Sequence, residues 1–270
     1  MNGVAANAPV GVFDSGVGGL SVLREIHAQL PQEALMYVAD SGHAPYGDKP
    51  TAYIEARATC IIRHLLAEGA KAIVVACNTV TGLIIEHLRQ RFDGLLIVAI
   101  EPAVKPAALA TRSGVVGVLA TRQTVASPGL ARLVQAHGQG RQILLQPCPG
   151  WVERVEAGAL DDPDTESAVR HFVQPLLDQG ADTLVLGCTH YPFLAPVIQR
   201  LAGHEVQVID PSGAVARELG RQLAVRGLAA PALASLSAVR FWTSGEVQRA
   251  QVVMSRLWGK PVAAEPLTRC

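Results

Sequence analysis

The hydrophobic pattern of this 270-residue chain specifies an α/β fold carried on mainly parallel sheets. Short runs rich in Val, Ile and Leu alternate with longer stretches of helical period, the mark of repeated βα units. The runs are apolar throughout and do not alternate with polar residues, as in strands covered on both faces. Small polar residues gather directly after the runs, where open α/β sheets bind their ligands.

In chain order, residues 10–13 predict a strand and 20–30 a helix. Strands at 35–39 and 72–76 are each followed by a helix, at 52–67 and 83–92. A strand at 95–100 leads to a Pro-bounded segment at 103–110, a strand at 115–120, a helix at 125–136 and a short strand at 143–146. Helices at 168–177, 193–201, 214–223 and 247–257 then alternate with strands at 183–186, 206–209 and 239–242. Ile100-Glu101-Pro102-Ala103 and Asp210-Pro211-Ser212-Gly213 each follow a strand directly and carry a Pro that disfavours its continuation. If the chain crosses between sheets at both places, residues 1–101 with 212–270 form one α/β domain and residues 102–211 form a second. Composition does not choose between that arrangement and a single sheet.

Hydrophobic residues make up 49% of the chain and charged residues only 17%, so it is globular and not disordered. Lys plus Arg and Asp plus Glu are both 23, giving a formal net charge of zero. That balance argues against a nucleic-acid partner bound through phosphate neutralisation and against a polybasic membrane surface. No apolar run approaches a membrane span, and the first residues lack the pattern of a signal peptide. The cysteines are Cys60, Cys77, Cys148, Cys188 and Cys270. Their odd count, wide spacing and lack of a CxxC predict five free thiols, no zinc ribbon and a reducing, cytoplasmic setting.

Five strand ends close on polar or acidic residues: Asp14-Ser15-Gly16, Asp40-Ser41-Gly42, Cys77-Asn78-Thr79, Cys188-Thr189-His190 and Asp210-Pro211-Ser212. Two of them share one grammar. In Ile73-Val-Val-Ala-Cys77-Asn-Thr79 and Leu184-Val-Leu-Gly-Cys188-Thr-His190, four small or branched apolar residues precede a cysteine, and polar residues suited to a helix N-terminus follow it. This is a weak internal repeat, and it could set two thiols face to face across a cleft. A free cysteine usually just fills space, and Cys60, Cys148 and Cys270 are read that way. The matched pair calls for chemistry, with helix N-termini expected to lower the thiol pKa values. A hydrolase would pair Cys188 with His190, but positions i and i+2 of an extended segment face opposite ways. No ligand spacing suggests a metal site. Two-base proton transfer at a stereocentre fits best, one thiolate removing a proton from one face of a carbon and the opposite thiol protonating the other.

Gly16-Val17-Gly18-Gly19 fails the GxGxxG pattern because position 21 is Ser, and no GxxxxGK[ST] occurs. The alternative is a tight turn whose amides approach a small anion such as a carboxylate. From the residues alone, Asp14 reads equally well as an N-cap, His190 as a turn histidine and Tyr46 as a lock on its loop.

Gly11-Val-Phe-Asp-Ser-Gly-Val-Gly-Gly-Leu-Ser-Val22, Pro45-Tyr46-Gly47, Val75-Ala-Cys-Asn-Thr79, Glu101-Pro-Ala-Val-Lys-Pro106, Gly117-Val-Leu-Ala-Thr121 and Leu186-Gly-Cys-Thr-His-Tyr-Pro192 resemble the signatures of the bacterial glutamate racemase family. The resemblance covers nearly the whole chain. It implies two pseudo-symmetric three-layer domains with mainly parallel sheets and an active site in the cleft between them. It also implies a cofactor-independent, metal-free cytoplasmic enzyme that interconverts L- and D-glutamate for peptidoglycan, its partner a small molecule and its assembly a homodimer. Carried over by position, Cys77 and Cys188 are the acid/base thiols, the first serving D-glutamate and the second L-glutamate. Asp14 assists the first, His190 the second, and Glu156 is a further acidic residue near the site. Ser15, Tyr46, Gly47, Asn78, Thr79 and Thr189 hold the substrate, with Ser41 and Pro45, and with Asp14 and His190 themselves. The chain departs from the family at Gly42-His43-Ala44, at Val80 and at Ser127-Pro128-Gly129, none of which removes a carried-over residue. Alternatives are racemisation of another amino acid such as aspartate, and a non-catalytic ligand-binding α/β protein.

Overall fold

The computed structural model describes residues 5–231, 239–268 and 270. Among them the strands form two sheets in which every pairing is parallel. The first half alternates β1 (Val10–Asp14), α1 (Leu20–Gln29), β2 (Leu35–Ala39), α2 (Thr51–Ala67), β3 (Ala72–Val75), α3 (Asn78–Arg91) and β4 (Leu96–Ala99). The chain then passes through α4 (Val104–Ala110) to β5 (Val115–Ala120), α5 (Arg122–Val125), α6 (Pro128–His137) and β6 (Gln142–Pro147). Next come α7 (Trp151–Glu156), α8 (Pro163–Asp178), β7 (Thr183–Gly187), α9 (Ala195–Ala202) and β8 (Gln207–Ile209). It returns by α10 (Ser212–Val225) to β9 (Val239–Thr243), α11 (Val247–Trp258) and β10 (Ala264–Pro266).

The sheet orders are β10-β9-β2-β1-β3-β4 and β6-β5-β7-β8. The second repeats the β2-β1-β3-β4 portion of the first, so β3 and β7 are corresponding strands. Cys77 and Cys188 follow those two strands, which is the physical content of the repeated cysteine grammar. In a parallel crossover unit, side chains on one strand point alternately to opposite layers. Val10 and Val12 join one core with Tyr37 and Val74, while Phe13 joins another with Val38 and Val75. The first of these cores continues without a break to Leu119, Trp151 and Leu184 of the second half. The chain changes sheets between β4 and α4, and again between β8 and α10.

Several elements differ from the sequence expectation. The helix expected at 125–136 is two: Ser127 accepts a hydrogen bond from the Leu130 amide and Pro128 opens α6, so the chain stops and restarts there. Helix α3 starts at Asn78, five residues earlier than its apolar period suggests, with Cys77 as its N-cap. Neither α7 nor β10 was anticipated, because each is too short to show a period. Strands β6 and β8 are partly exposed and sit at sheet edges, so burial on both faces fails for them, while the edge strand β4 is nearly all buried. The expectation of five free thiols also fails. Cys60 on α2 and Cys270 form a disulfide across a sequence separation of 210, a pairing that spacing cannot reveal, while Cys77, Cys148 and Cys188 are free and buried. Among the described residues no helix is long and apolar enough to cross a membrane.

Candidate active site

The carboxyl ends of β1, β3, β5 and β7 converge on one small, tightly closed cavity. Of the expected residues, Ser15, Pro45, Tyr46, Gly47, Cys77, Asn78, Thr79, Cys188, Thr189 and His190 line it. Cys77 and Cys188 are both almost fully buried there, and a charge on Cys188 bears on the Cys77 thiol.

Cys188 is backed by a chain of polar contacts. Its Sγ lies 3.7 Å from His190 Nδ1, and His190 Nε2 lies 2.7 Å from Glu156 Oε1. Cys188 and His190 do not face opposite ways, as an extended segment would require, because β7 ends at Gly187 and His190 has helical dihedrals that open a 3₁₀ turn. Burial would lower the His190 pKa, but hydrogen bonds with Cys188 and Glu156 raise it well above the usual value. The His190 ring is therefore held between the Cys188 sulfur and the Glu156 carboxyl group.

Cys77 is set differently. Its thiol donates to Ser15 Oγ at 3.7 Å. Burial and the Asp14 carboxylate push its pKa far up, while the Val80 amide of the α3 N-terminus pulls down. The expected lowering by the helix end thus exists but is outweighed by desolvation. Asp14 is itself fully buried and its pKa is raised, chiefly by burial, with His190 opposing. Its Oδ2 accepts from the Gly19 amide at 2.8 Å and from Thr189 Oγ1 at 3.2 Å, and lies 4.0 Å from His190 Nδ1. Asp14 is not the N-cap of α1: that position is Gly19, with no side-chain cap, and Asp14 instead holds the Gly19 amide from inside the turn while its Oδ1 has no partner.

Asn78 is the most telling polar residue in the cavity wall. It is 3% exposed, and neither its Oδ1 nor its Nδ2 has a hydrogen-bond partner. A buried amide left in this state is costly and is normally satisfied by something. Thr79 Oγ1 is 3.0 Å from Thr121 Oγ1 and 3.2 Å from Thr124 Oγ1, which ties the two halves together at the cavity edge.

Not every expected residue lies in this cavity. Ser41 donates to Glu156 Oε2 at 2.8 Å and lines a separate pocket, so it faces the outer side of Glu156. Glu156 and Asp14 stand behind His190 and do not line the cavity. The Tyr46 hydroxyl donates to Asp40 and is not turned to the cavity, which its residue nonetheless walls. Thr121 and Val152 complete the lining and were not anticipated. Thr121 had a signal, since it follows β5 as Ser15 follows β1. Val152 lies on the unanticipated α7. Among the departures from the family pattern, Val80 packs in the core beside Cys77 and His43 meets the Tyr53 hydroxyl.

The glycine-rich turn after β1 binds carboxylates, but they are the protein's own. Val17 N–H donates to Glu156 Oε1 at 2.7 Å, as Gly19 N–H does to Asp14. A Cβ on Gly16 would come within 1.9 Å of Glu156 Oε1, and one on Gly18 within 2.3 Å of His190 Nδ1. The glycines are there to let the His190–Glu156 pair lie against bare backbone. Among the described residues no group of three His, Cys, Asp or Glu side chains could hold a metal ion.

The pattern of the Asp/Glu/Hydantoin racemases matches residues 10–219. The chain belongs to that family. It is 54% identical over 255 residues to the glutamate racemase of Ectopseudomonas mendocina, an alignment covering 94% of this chain and 96% of the relative. Among solved structures of this racemase family, the glutamate racemase of Francisella tularensis, in complex with D-glutamate, superposes with a TM-score of 0.84 at 27% identity. That match covers 97% of this chain and 98% of the other. The Escherichia coli glutamate racemase, in complex with L-glutamate and the activator UDP-MurNAc-ala, superposes with a TM-score of 0.81 at 31% identity, covering 96% and 97%. The racemase fold therefore extends over both sheets of this chain.

Proposed function

We propose that this racemase interconverts L- and D-glutamate without a cofactor, in the cytoplasm, as a source of D-glutamate for peptidoglycan. The observation that carries the reading is the pair of buried free thiols on corresponding strand ends, in one cavity whose wall holds an unpartnered amide. Residues 1–101 with 212–270, and residues 102–211, act as the two domains that enclose the substrate. Asn78, Thr79, Thr189 and Ser15 supply the donors and acceptors for its carboxylates and ammonium. One thiolate takes the Cα proton and the opposite thiol gives its own to the other face. The Cα–H bond is weakly acidic, so the site must stabilise carbanion-like charge with fixed dipoles and exclude water.

Cys188 is readied by the His190 imidazolium. Cys77 has no such cation and sits beside Asp14, so its thiolate forms only when the substrate brings its α-ammonium group into the cavity. Racemisation of L- and of D-glutamate, followed by circular dichroism with aspartate as control, tests the substrate. Equal or greater turnover of aspartate overturns glutamate as substrate. Cys77→Ser and Cys188→Ser each lower kcat by roughly 10²–10⁴-fold, the usual worth of a positioned acid or base. A single variant with near-wild-type turnover contradicts the two-base assignment. The homodimer we propose is checked by light scattering.

A further inference from the structure

Tyr46 walls the catalytic cavity, yet its hydroxyl is committed elsewhere, to the fully buried carboxylate of Asp40. Asp40 is also gripped by Arg57 of α2, with Nε 2.9 Å from Oδ2 and Nη2 2.6 Å from Oδ1. Such a two-pronged pair fixes orientation as well as charge. The remaining nitrogen of Arg57, Nη1, donates at 2.8 Å to the backbone carbonyl of Cys270. Cys270 is bonded to Cys60, which lies three residues after Arg57, one turn along the same helix. Covalent and hydrogen-bonded links therefore run from Cys60–Cys270 through Arg57 and Asp40 to Tyr46. None of Arg57, Cys60 or Cys270 lines the cavity.

We propose that Arg57 is a positioning residue of the active site, seated by the Cys60–Cys270 tether, which acts through Asp40 to hold the Tyr46 wall in place. Without the guanidinium, Asp40 is a buried charge with no cation beside it, and it draws the 40–47 loop toward water or takes up a proton. Either change reshapes the wall that meets the substrate and leaves both thiols where they are. Reducing the disulfide has the same effect in weaker form. A dithiol reagent transfers two electrons and two protons, so Cys60 and Cys270 become thiols and the reagent becomes a cyclic disulfide. The Cys270 carbonyl is then free to leave Arg57.

The proposal rests on glutamate racemisation, and its test separates the two. Steady-state racemisation is measured on the full chain for wild type, Arg57→Ala, Arg57→Lys and Cys270→Ser, each with and without dithiothreitol. KM for glutamate rises at least tenfold in Arg57→Ala with kcat changed much less. Added guanidinium lowers that KM, and Arg57→Lys falls between. In wild type, dithiothreitol raises KM to the value of Cys270→Ser, while Arg57→Ala does not respond to it. A purely structural role would shrink the folded fraction and lower apparent kcat at unchanged KM, and that result overturns the proposal. So does a wild-type KM indifferent to dithiothreitol. Absence of any racemisation by the wild type overturns the functional reading instead.

Discussion

Asn78 separates a binding role from a structural one. Its amide is buried without a partner, so it contributes nothing to the fold that Ala could not replace. Asn78→Ala should leave Tm unchanged or slightly higher. KM for glutamate should rise roughly tenfold, equivalent to about 1.4 kcal/mol of lost hydrogen bonding. Thermal melts and initial rates on one preparation check both. A fall in Tm with intact KM would mark the residue as structural. The sequence showed Asn78 only as one of several polar residues after a strand. What singles it out, the lack of a partner, is a property of the packed protein. Likewise, the residues alone left open whether Asp14 caps a helix or serves the site. In the structure Gly19, not Asp14, is the N-cap of α1; one Asp14 oxygen holds the Gly19 amide and the other is left free.

At the scale of elements, the glycine turn and the loop before β5 make separate predictions. Gly18→Ala places a methyl where the His190 imidazole lies, so it should displace the ring from Cys188 and depress kcat by tenfold or more. Circular dichroism should still report an intact fold. Wild-type turnover would show that the contact with Cys188 is dispensable. Asp182, just before β7, accepts from Thr111 Oγ1 at 2.6 Å and from the Arg112 and Ser113 amides at 2.8 and 2.7 Å. Burial acts against its charge, but those hydrogen bonds pull its pKa down from 3.8 to about 2. A carboxyl with a lowered folded pKa stabilises above its unfolded value and loses that contribution as pH falls through the folded one. Asp182→Asn should therefore lower Tm at pH 7, and the gap should close between pH 4 and pH 2. Strand and helix alternation was legible because the buried runs, though short, are uninterrupted by polar residues. The division of 125–136 at Ser127-Pro128 had capping signals of its own, which the apolar period overrode. The short α7 had none, and it carries both Val152 and Glu156.

For the whole molecule, the repeated order of β2-β1-β3-β4 in β6-β5-β7-β8 explains how two cysteines 111 positions apart share one cavity. The sequence carried this as a repeated phrase around each cysteine. It could not show that the phrases occupy corresponding strands, because register is settled by packing. The disulfide lay beyond reach for the same reason, since Cys60 and Cys270 look ordinary until the fold joins them. Closing so long a loop typically stabilises by about 2–4 kcal/mol, so Cys270→Ser should lower Tm by several degrees under oxidising conditions and by nothing under reducing ones. In two-base racemisation a proton leaves one face of Cα and a different one arrives at the other. A single turnover of protiated L-glutamate in deuterium oxide, with no added cofactor, tests it most directly. Two-base transfer yields D-glutamate carrying deuterium at Cα. D-glutamate that retains the original protium would contradict it.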